Sequence, residues 1–142
     1  MSAVTVWQGI EERMRTIDGL QTILLGEPQS VHNFPALYGA YIEIDPVLRN
    51  TPPAKNQIGF THKFILRLVI QWVHNEQAEM QLLSLVDAIP LAIDADPKLG
   101  GRLRGGMATI TIGSGGFAPI GDVVHRVVDY TCQVLEKYEA ST

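Results

Sequence analysis

Residues Asp96–Gly121 read DPKLGGRLRGGMATITIGSGGFAPIG, and within them Gly113-Ser114-Gly115-Gly116-Phe117-Ala118 satisfies the G-x-G-x-x-G/A pattern of a dinucleotide-binding loop. That pattern holds a pyrophosphate only where a helix begins at the glycines, because the ligand rests on the helix N-terminus. Here Pro119-Ile120-Gly121 and a valine-rich run follow, and the parallel strand that should end in a ribose-binding acid about 20 residues on is missing. No Lys-Ser/Thr pair follows the glycines, so a P-loop is excluded as well. The glycines read as backbone hinges around one short strand, Met107–Ile112, with Gly113–Gly116 breaking it. That favours an antiparallel sheet over a doubly wound one.

Upstream, Asn75 is placed to cap a helix whose first turn carries Glu76 and Glu79, favourable against the helix dipole. Leu82, Leu85, Val86, Ile89 and Ile93 form its apolar stripe. Pro90 interrupts the stripe and predicts a kink or an early end there, while Asp94 and Asp96 favour stopping near Ile93. Asp96–Gly101 then predicts a tight or short helical turn. Downstream, Asp122–Tyr138 reads as the last strand, its Val124, Val128, Tyr130, Cys132 and Val134 largely in one register. A single slip or bulge near Arg126–Val128 is expected to exchange its faces.

Ile58–Val73 is the strongest strand signal, with Phe60, His62, Phe64, Leu66, Leu68, Ile70 and Trp72 on the core face. Sixteen residues at ~3.3 Å each outrun a domain of this size, so either the strand bends at a bulge or its Lys63 end protrudes. In the second case it forms a hairpin with Ala36–Asp45, part of a strand Phe34–Asp45 that stops at Pro46. Val47–Gln57, with two adjacent prolines, forms the polar tip. The N-terminal Thr5–Ile17 predicts an amphipathic helix buried through Trp7, Ile10, Met14 and Ile17, with Thr5 and Gln8 as a capping box or Ser2 as an alternative cap, and Gly19 as its stop. Leu20–Leu25 suits a brief strand or an extended connector. The expected fold is one α+β domain over 1–142, a mainly antiparallel β-sheet flanked by two helices, in the order α-(β)-β-β-α-β-β.

With 142 residues the chain has enough length for a core without a staple, and its single cysteine, Cys132, excludes an internal disulfide. The N-terminus lacks the pattern of a secretion signal, so a cytosolic chain is expected. No apolar segment reaches the ~20 residues of a membrane helix. A formal charge of −4 gives little support to autonomous nucleic-acid binding. The four histidines, His32, His62, His74 and His125, show no paired metal spacing. Cys132 in an apolar strand reads as a small buried hydrophobe. Asp87 or Asp129 is expected to form a structural ion pair with Arg67 or Arg126, or to face solvent on the polar stripe, rather than to do acid–base work. The residues specify no catalytic group, cofactor or metal.

The helix Leu82–Ile93, the D-P-x-L-G-G turn Asp96–Gly101, the strand Met107–Ile112, the glycine-rich break Gly113–Gly121 and the closing strand Val123–Leu135 together resemble the tail terminator proteins of long-tailed bacteriophages and gene-transfer particles. The break departs from the family pattern, with Phe117 and Pro119 in place of a tyrosine-centred turn. The resemblance implies a non-enzymatic virion protein at the head-proximal end of the tail, assembled in the host cytoplasm. It implies a homo-oligomeric ring, commonly a hexamer, that caps the tail tube, stops its polymerisation and presents a surface to the head connector. Its partners would be further copies of itself, the major tail tube protein and the head-completion protein. DNA would pass through the lumen without specific binding. Val47–Gln57 and Gly113–Gly121 are the segments expected at its contacts, with Arg49, Lys55, Arg102 and Arg104 as polar candidates and Phe117 as an apolar one. A neck or tail-completion protein is the nearest alternative. From another class, a small ligand-binding or enzymatic domain would build its site from Asp87, Arg67, His125 and the glycine loop.

Overall fold

Period-two alternation in β3 (Gln57–Ile70) buries His62, Phe64, Leu66, Leu68 and Ile70 on one face, each at most 3% exposed. The computed structural model describes residues 3–30, 33–49, 57–103 and 106–139. Antiparallel neighbours flank β3, β2 (Ala36–Arg49) on one side and β5 (Val123–Glu139) on the other. β1 (Thr22–Leu25) lies parallel to β2, and β4 (Ala108–Ile120) lies antiparallel to β5, giving the order β1-β2-β3-β5-β4. This is the α+β architecture expected, a mostly antiparallel sheet with its helices on one face. The segment Leu20–Leu25, open between strand and connector from sequence, supplies β1.

Three helical segments cover the buried face: α1 (Ala3–Met14), α2 (Asn75–Leu85) and α3 (Ala88–Asp94). Val6, Trp7, Ile10 and Met14 of α1 join Leu82, Leu85, Ile89 and Ile93 and the inward face of the sheet in one core. Trp7 packs directly on Gly39, where β2 has no side chain to hold it off. On the opposite face a smaller cluster of Ala36, Tyr38, Val69, Ile120 and Val127 forms at the end of the sheet nearest Phe34.

Several expectations are corrected. α1 starts at Ala3 and ends at Met14, so Thr5 and Gln8 lie inside it and form no capping box. Ser2 lies outside the described residues. Asn75 is the first helical residue and His74 the cap; the Asn75 carboxamide instead accepts from the Trp72 indole at 2.5 Å. The second helix breaks at Val86–Asp87, upstream of Pro90. Pro90 sits in the first turn of α3, where a missing N–H costs nothing. Pro46 does not stop β2, which runs on to Arg49. β1 pairs only as far as Gly39, so beyond it β2 is an edge, where proline is tolerated.

Three further corrections concern the ends and registers of the long strands. β3 ends at Ile70, and Trp72 is 43% exposed rather than core. Pairing of β3 with β5 runs unbroken from Ile70↔Arg126 to Gln57↔Glu139, so β5 has no slip at Arg126–Val128. Val127 and Val128 are both buried because both faces of the sheet are covered there. The glycines do not break β4, which continues to Ile120. Ile112 pairs with Tyr130 and Gly115 with Val128, leaving Gly113 and Ser114 opposite Asp129 as a β-bulge. A Cβ on Gly113 would lie 3.0 Å from the Asp129 carbonyl oxygen, which is why a glycine occupies this point. A second irregularity falls at Ile42 in β2.

Candidate assembly surface

After Ile70 the chain leaves the sheet through Gln71–His74 to start α2, and this exit places Trp72 beside β4. Its ring lies 4.9 Å from that of Phe117, which is 56% exposed. The Arg126 guanidinium sits 5.3 Å from the Phe117 centroid and donates through Nε to Glu79 (2.6 Å) and through Nη1 to the Gly116 carbonyl (2.8 Å). The Arg126 hydrogen bond, foremost, holds the Glu79 carboxyl below the usual carboxylate range. One guanidinium thus ties the start of α2 to the β4–β5 hairpin and backs an exposed aromatic pair. Trp, Phe and Arg are among the side chains enriched at protein interfaces, and Trp and Arg among those that most often anchor them.

Next to this cluster Trp72, Val73, Phe34, Ile120, Val123 and His125 line a shallow cleft of about 330 Å³ with Ser30 and Gln71. Phe34 stacks on His125 at 5.1 Å, and the His125 Nδ1 donates to the Val123 carbonyl at 2.8 Å. The turn of this hairpin is Gly121-Asp122, with Gly121 at φ 62°. Glycine in the first position of a two-residue turn gives the twist that antiparallel strands need.

The other end of the sheet is an arm. β4 begins opposite Val134, whereas β5 continues to Glu139, paired with Gln57 of β3, which in turn pairs with Arg49 of β2. Three strands therefore extend five residues, roughly 17 Å, past the first residue of β4. Arg49 ends β2 in this arm. Lys55 and Arg104 lie outside the described residues, as does most of Val47–Gln57. Arg102 is engaged within the chain: its Nη atoms donate to both Glu12 oxygens at 3.0 and 2.6 Å and to the Leu99 carbonyl at 3.0 Å, fastening α1 to the Asp96–Gly101 turn. Phe117, of the candidate contact residues, is presented outward next to the exposed Trp72. Sequence reasoning missed Trp72, assigned to the core by continuing the alternation of β3, and missed Arg126 as its neighbour.

Asp87 and Arg67 of the alternative ligand site are not brought together. Arg67 donates through Nε and Nη2 to both oxygens of Asp129 (2.6 and 3.0 Å) and through Nη1 to the Tyr38 hydroxyl (3.1 Å), on the face without helices. The Asp129 hydrogen bond, foremost, pushes the Arg67 guanidinium further into its charged form. Asp87 occupies the N-cap position of α3, without a side-chain cap bond, on the helical side, so the sheet separates it from Arg67. The Cys132 thiol is buried and pushed up to about 12 by desolvation. Among the described residues no group of three or more His, Cys, Asp and Glu side chains is placed to hold a metal ion, and no helix is long and apolar enough to cross a membrane.

Tyr130 joins the sheet to the break between α2 and α3, its buried hydroxyl donating to the Val86 carbonyl at 2.8 Å. Burial, and secondarily Asp87, raises its pKa above the usual tyrosine value. A raised folded-state pKa stabilises the fold below the unfolded value and withdraws that contribution as pH climbs past about 10. Tyr130→Phe is therefore expected to cost about 1 kcal/mol near neutral pH. It is also expected to lessen the alkaline loss, which Tyr38 and Tyr41 share through desolvation. Urea midpoints at pH 7 and at pH 11 check both signs.

No model of a known protein family matches this chain, and no curated protein matches its sequence.

Proposed function

We propose that this chain is a ring-forming virion assembly protein of the tail-terminator kind, which caps a tail tube, stops its polymerisation and offers its other face to the head connector. The reading rests on the resemblance of Leu82–Leu135 to that family, and the observation that carries it furthest is the arm. Three paired strands run past β4 and past the last paired residue of β1. A projection of this kind suits reaching across a subunit boundary. Head-to-tail contacts close into a ring when one surface of a protomer meets a different surface of the next. The paired strands of the arm at one end and the Trp72–Phe117–Arg126 cluster at the other provide two different surfaces. The ring engages further copies of the chain, a tail tube protein and a head-completion protein, and leaves DNA to pass through its lumen.

The test is tube capping. Purified chain mixed with polymerising tail tube subunits is expected to arrest growth, and a terminator-deficient phage supplied with the chain is expected to regain tails of uniform length in electron micrographs. A variant in which a two-residue Asn-Gly turn replaces the arm beyond Asp45 and Thr61 keeps the core residues of both clusters and is expected to fold without capping. Unchanged tube growth together with unrestored tail length would overturn the assignment.

A further inference from the structure

β4 is an edge strand, hydrogen-bonded to β5 on one side only. The Leu135 amide donates to the Met107 carbonyl at 3.0 Å, so Met107, Thr109 and Thr111 turn their main-chain groups toward β5, and Ile110 and Ile112 turn theirs outward. Beyond the bulge the two-residue turn closes on the pair Ile120–Val123. Alternation back from that pair turns Gly115, Phe117 and Pro119 outward. The outward window is bounded at both ends. The Ala108 amide already donates to the Pro97 carbonyl at 2.8 Å, and Pro119 has no amide hydrogen.

Edges of this kind are normally guarded by charge, by proline or by shortness. The sequence from Met107 to Gly121 contains no charged residue, and Ile112 and Phe117 are 50% and 56% exposed. The opposite side of the sheet is guarded: β1 has four residues, and the free part of β2 carries the Ile42 bulge and Pro46. In a second copy, only β4 presents a long edge of the same character among the described strands.

We infer that the isolated chain dimerises by antiparallel pairing of β4 with β4 of a second copy, about a two-fold axis between Gly113 and Ser114. In that register Ile112 faces Gly115 of the second copy and Ile110 faces Phe117, each outward main chain meeting another outward main chain. Ala108 then faces Pro119, where neither has an amide to offer, so the ladder ends where its donors end. The bulges lie opposite each other at the axis. Ile110 and Phe117 form a β-branched–aromatic cross-strand pair on the helical side, the type of pair that stabilises antiparallel sheets. The contact is isologous and closes at two copies. It uses Phe117, which also belongs to the cluster offered for the head-to-tail contact of a ring, so the two contacts exclude each other at that residue; the dimer does not rest on the assembly reading and covers an otherwise unguarded edge while the chain is free in solution.

Light scattering of the full chain is expected to give twice the 15.6 kDa monomer mass. Ile112→Lys, at a side chain already half exposed, is expected to weaken the dimer about tenfold or more, since it brings two lysines close to the axis, with a melting curve unchanged at concentrations where the native chain is monomeric. Ser114→Cys is expected to give disulfide-linked dimers under mild oxidation, whereas Ser84→Cys, exposed on α2, is not, and the buried Cys132 does not compete. A monomer at concentrations near ~0.1 mM, far above the Kd of a stable dimer, would overturn the inference. So would a dimer indifferent to Ile112→Lys, or a Ser114→Cys chain that cross-links no faster than the Ser84→Cys control.

Discussion

Gly39→Ala is expected to destabilise the fold by about 3 kcal/mol, at the upper end of what overpacking a core costs. The added methyl would fall within the Trp7 ring, touching its Cζ3 and, at 2.7 Å, its Cη2, and would lie 3.1 Å from a methyl of Leu66. Neither neighbour has room to yield. Trp7 is 5% exposed and lies 5.9 Å from the Phe64 ring, and Leu66 is fully buried. The indole therefore has to leave its place and carry α1 away from β2. A double-mutant cycle separates this collision from a change in strand propensity, since alanine is otherwise as acceptable as glycine in a strand. Trp7→Leu removes the ring and costs stability on its own, but Gly39→Ala added to it is expected to cost at least 1 kcal/mol less than in the native background. Urea unfolding of the four chains gives the coupling. If the two losses add to within about 0.5 kcal/mol, Trp7 is not what excludes a side chain at Gly39.

That contact illustrates what the sequence conceals. The alternation of Phe64–Ile70 marks one face as buried and is legible because Phe64, Leu66, Leu68 and Ile70 recur at every second position; Trp7, Ile10 and Met14 are legible in the same way at helical spacing. Gly39 is not, because a glycine in a strand shows only that something comes close. The same holds for Gly113–Gly116, read as a break although β4 runs through them. Gly113 is required by the passing Asp129 carbonyl and Gly115 lies beneath Arg126, with a Cβ there 3.2 Å from its guanidinium. Both are tertiary facts. Trp72 was misplaced for a related reason: parity assigns a face only while pairing lasts, and β3 stops at Ile70. The Arg67–Asp129 pair was within reach, as charged residues inside apolar strands have to find partners. The Arg126–Glu79 pair joins residues 47 positions apart across two elements, and only the fold brings them together.

Leu99→Ala is expected to cost about 2–5 kcal/mol, the range for truncating a fully buried leucine. Leu99 is the one non-glycine residue with positive φ among those described, at 53°, and it is 0% exposed. Its side chain plugs the Asp96–Gly101 turn against α1 at Gly9, where a Cβ would lie 2.8 Å from that of Leu99. The turn holds this geometry by the Leu99 amide donating to the Asp96 carbonyl (3.0 Å) and the Gly100 amide to the Asp96 carboxylate (2.9 Å). Backbone and side chain make opposite demands here, because the left-handed conformation favours glycine and the core requires leucine. The order of stability is therefore expected to be Leu, then Gly, then Ala. Glycine should exceed alanine by about 1 kcal/mol, the reverse of their usual ranking inside regular structure. An alanine variant more stable than the glycine variant would show that the strain is not stored at this residue. The consequence reaches the β4 edge, because the same turn supplies the Pro97 carbonyl that occupies the Ala108 amide. Loosening it in Leu99→Ala should raise the hydrogen-exchange rate of Ala108 ahead of global unfolding. It should leave the Ile120–Val123 end of β4 protected, since that end is held by Gly121 and by pairing with β5.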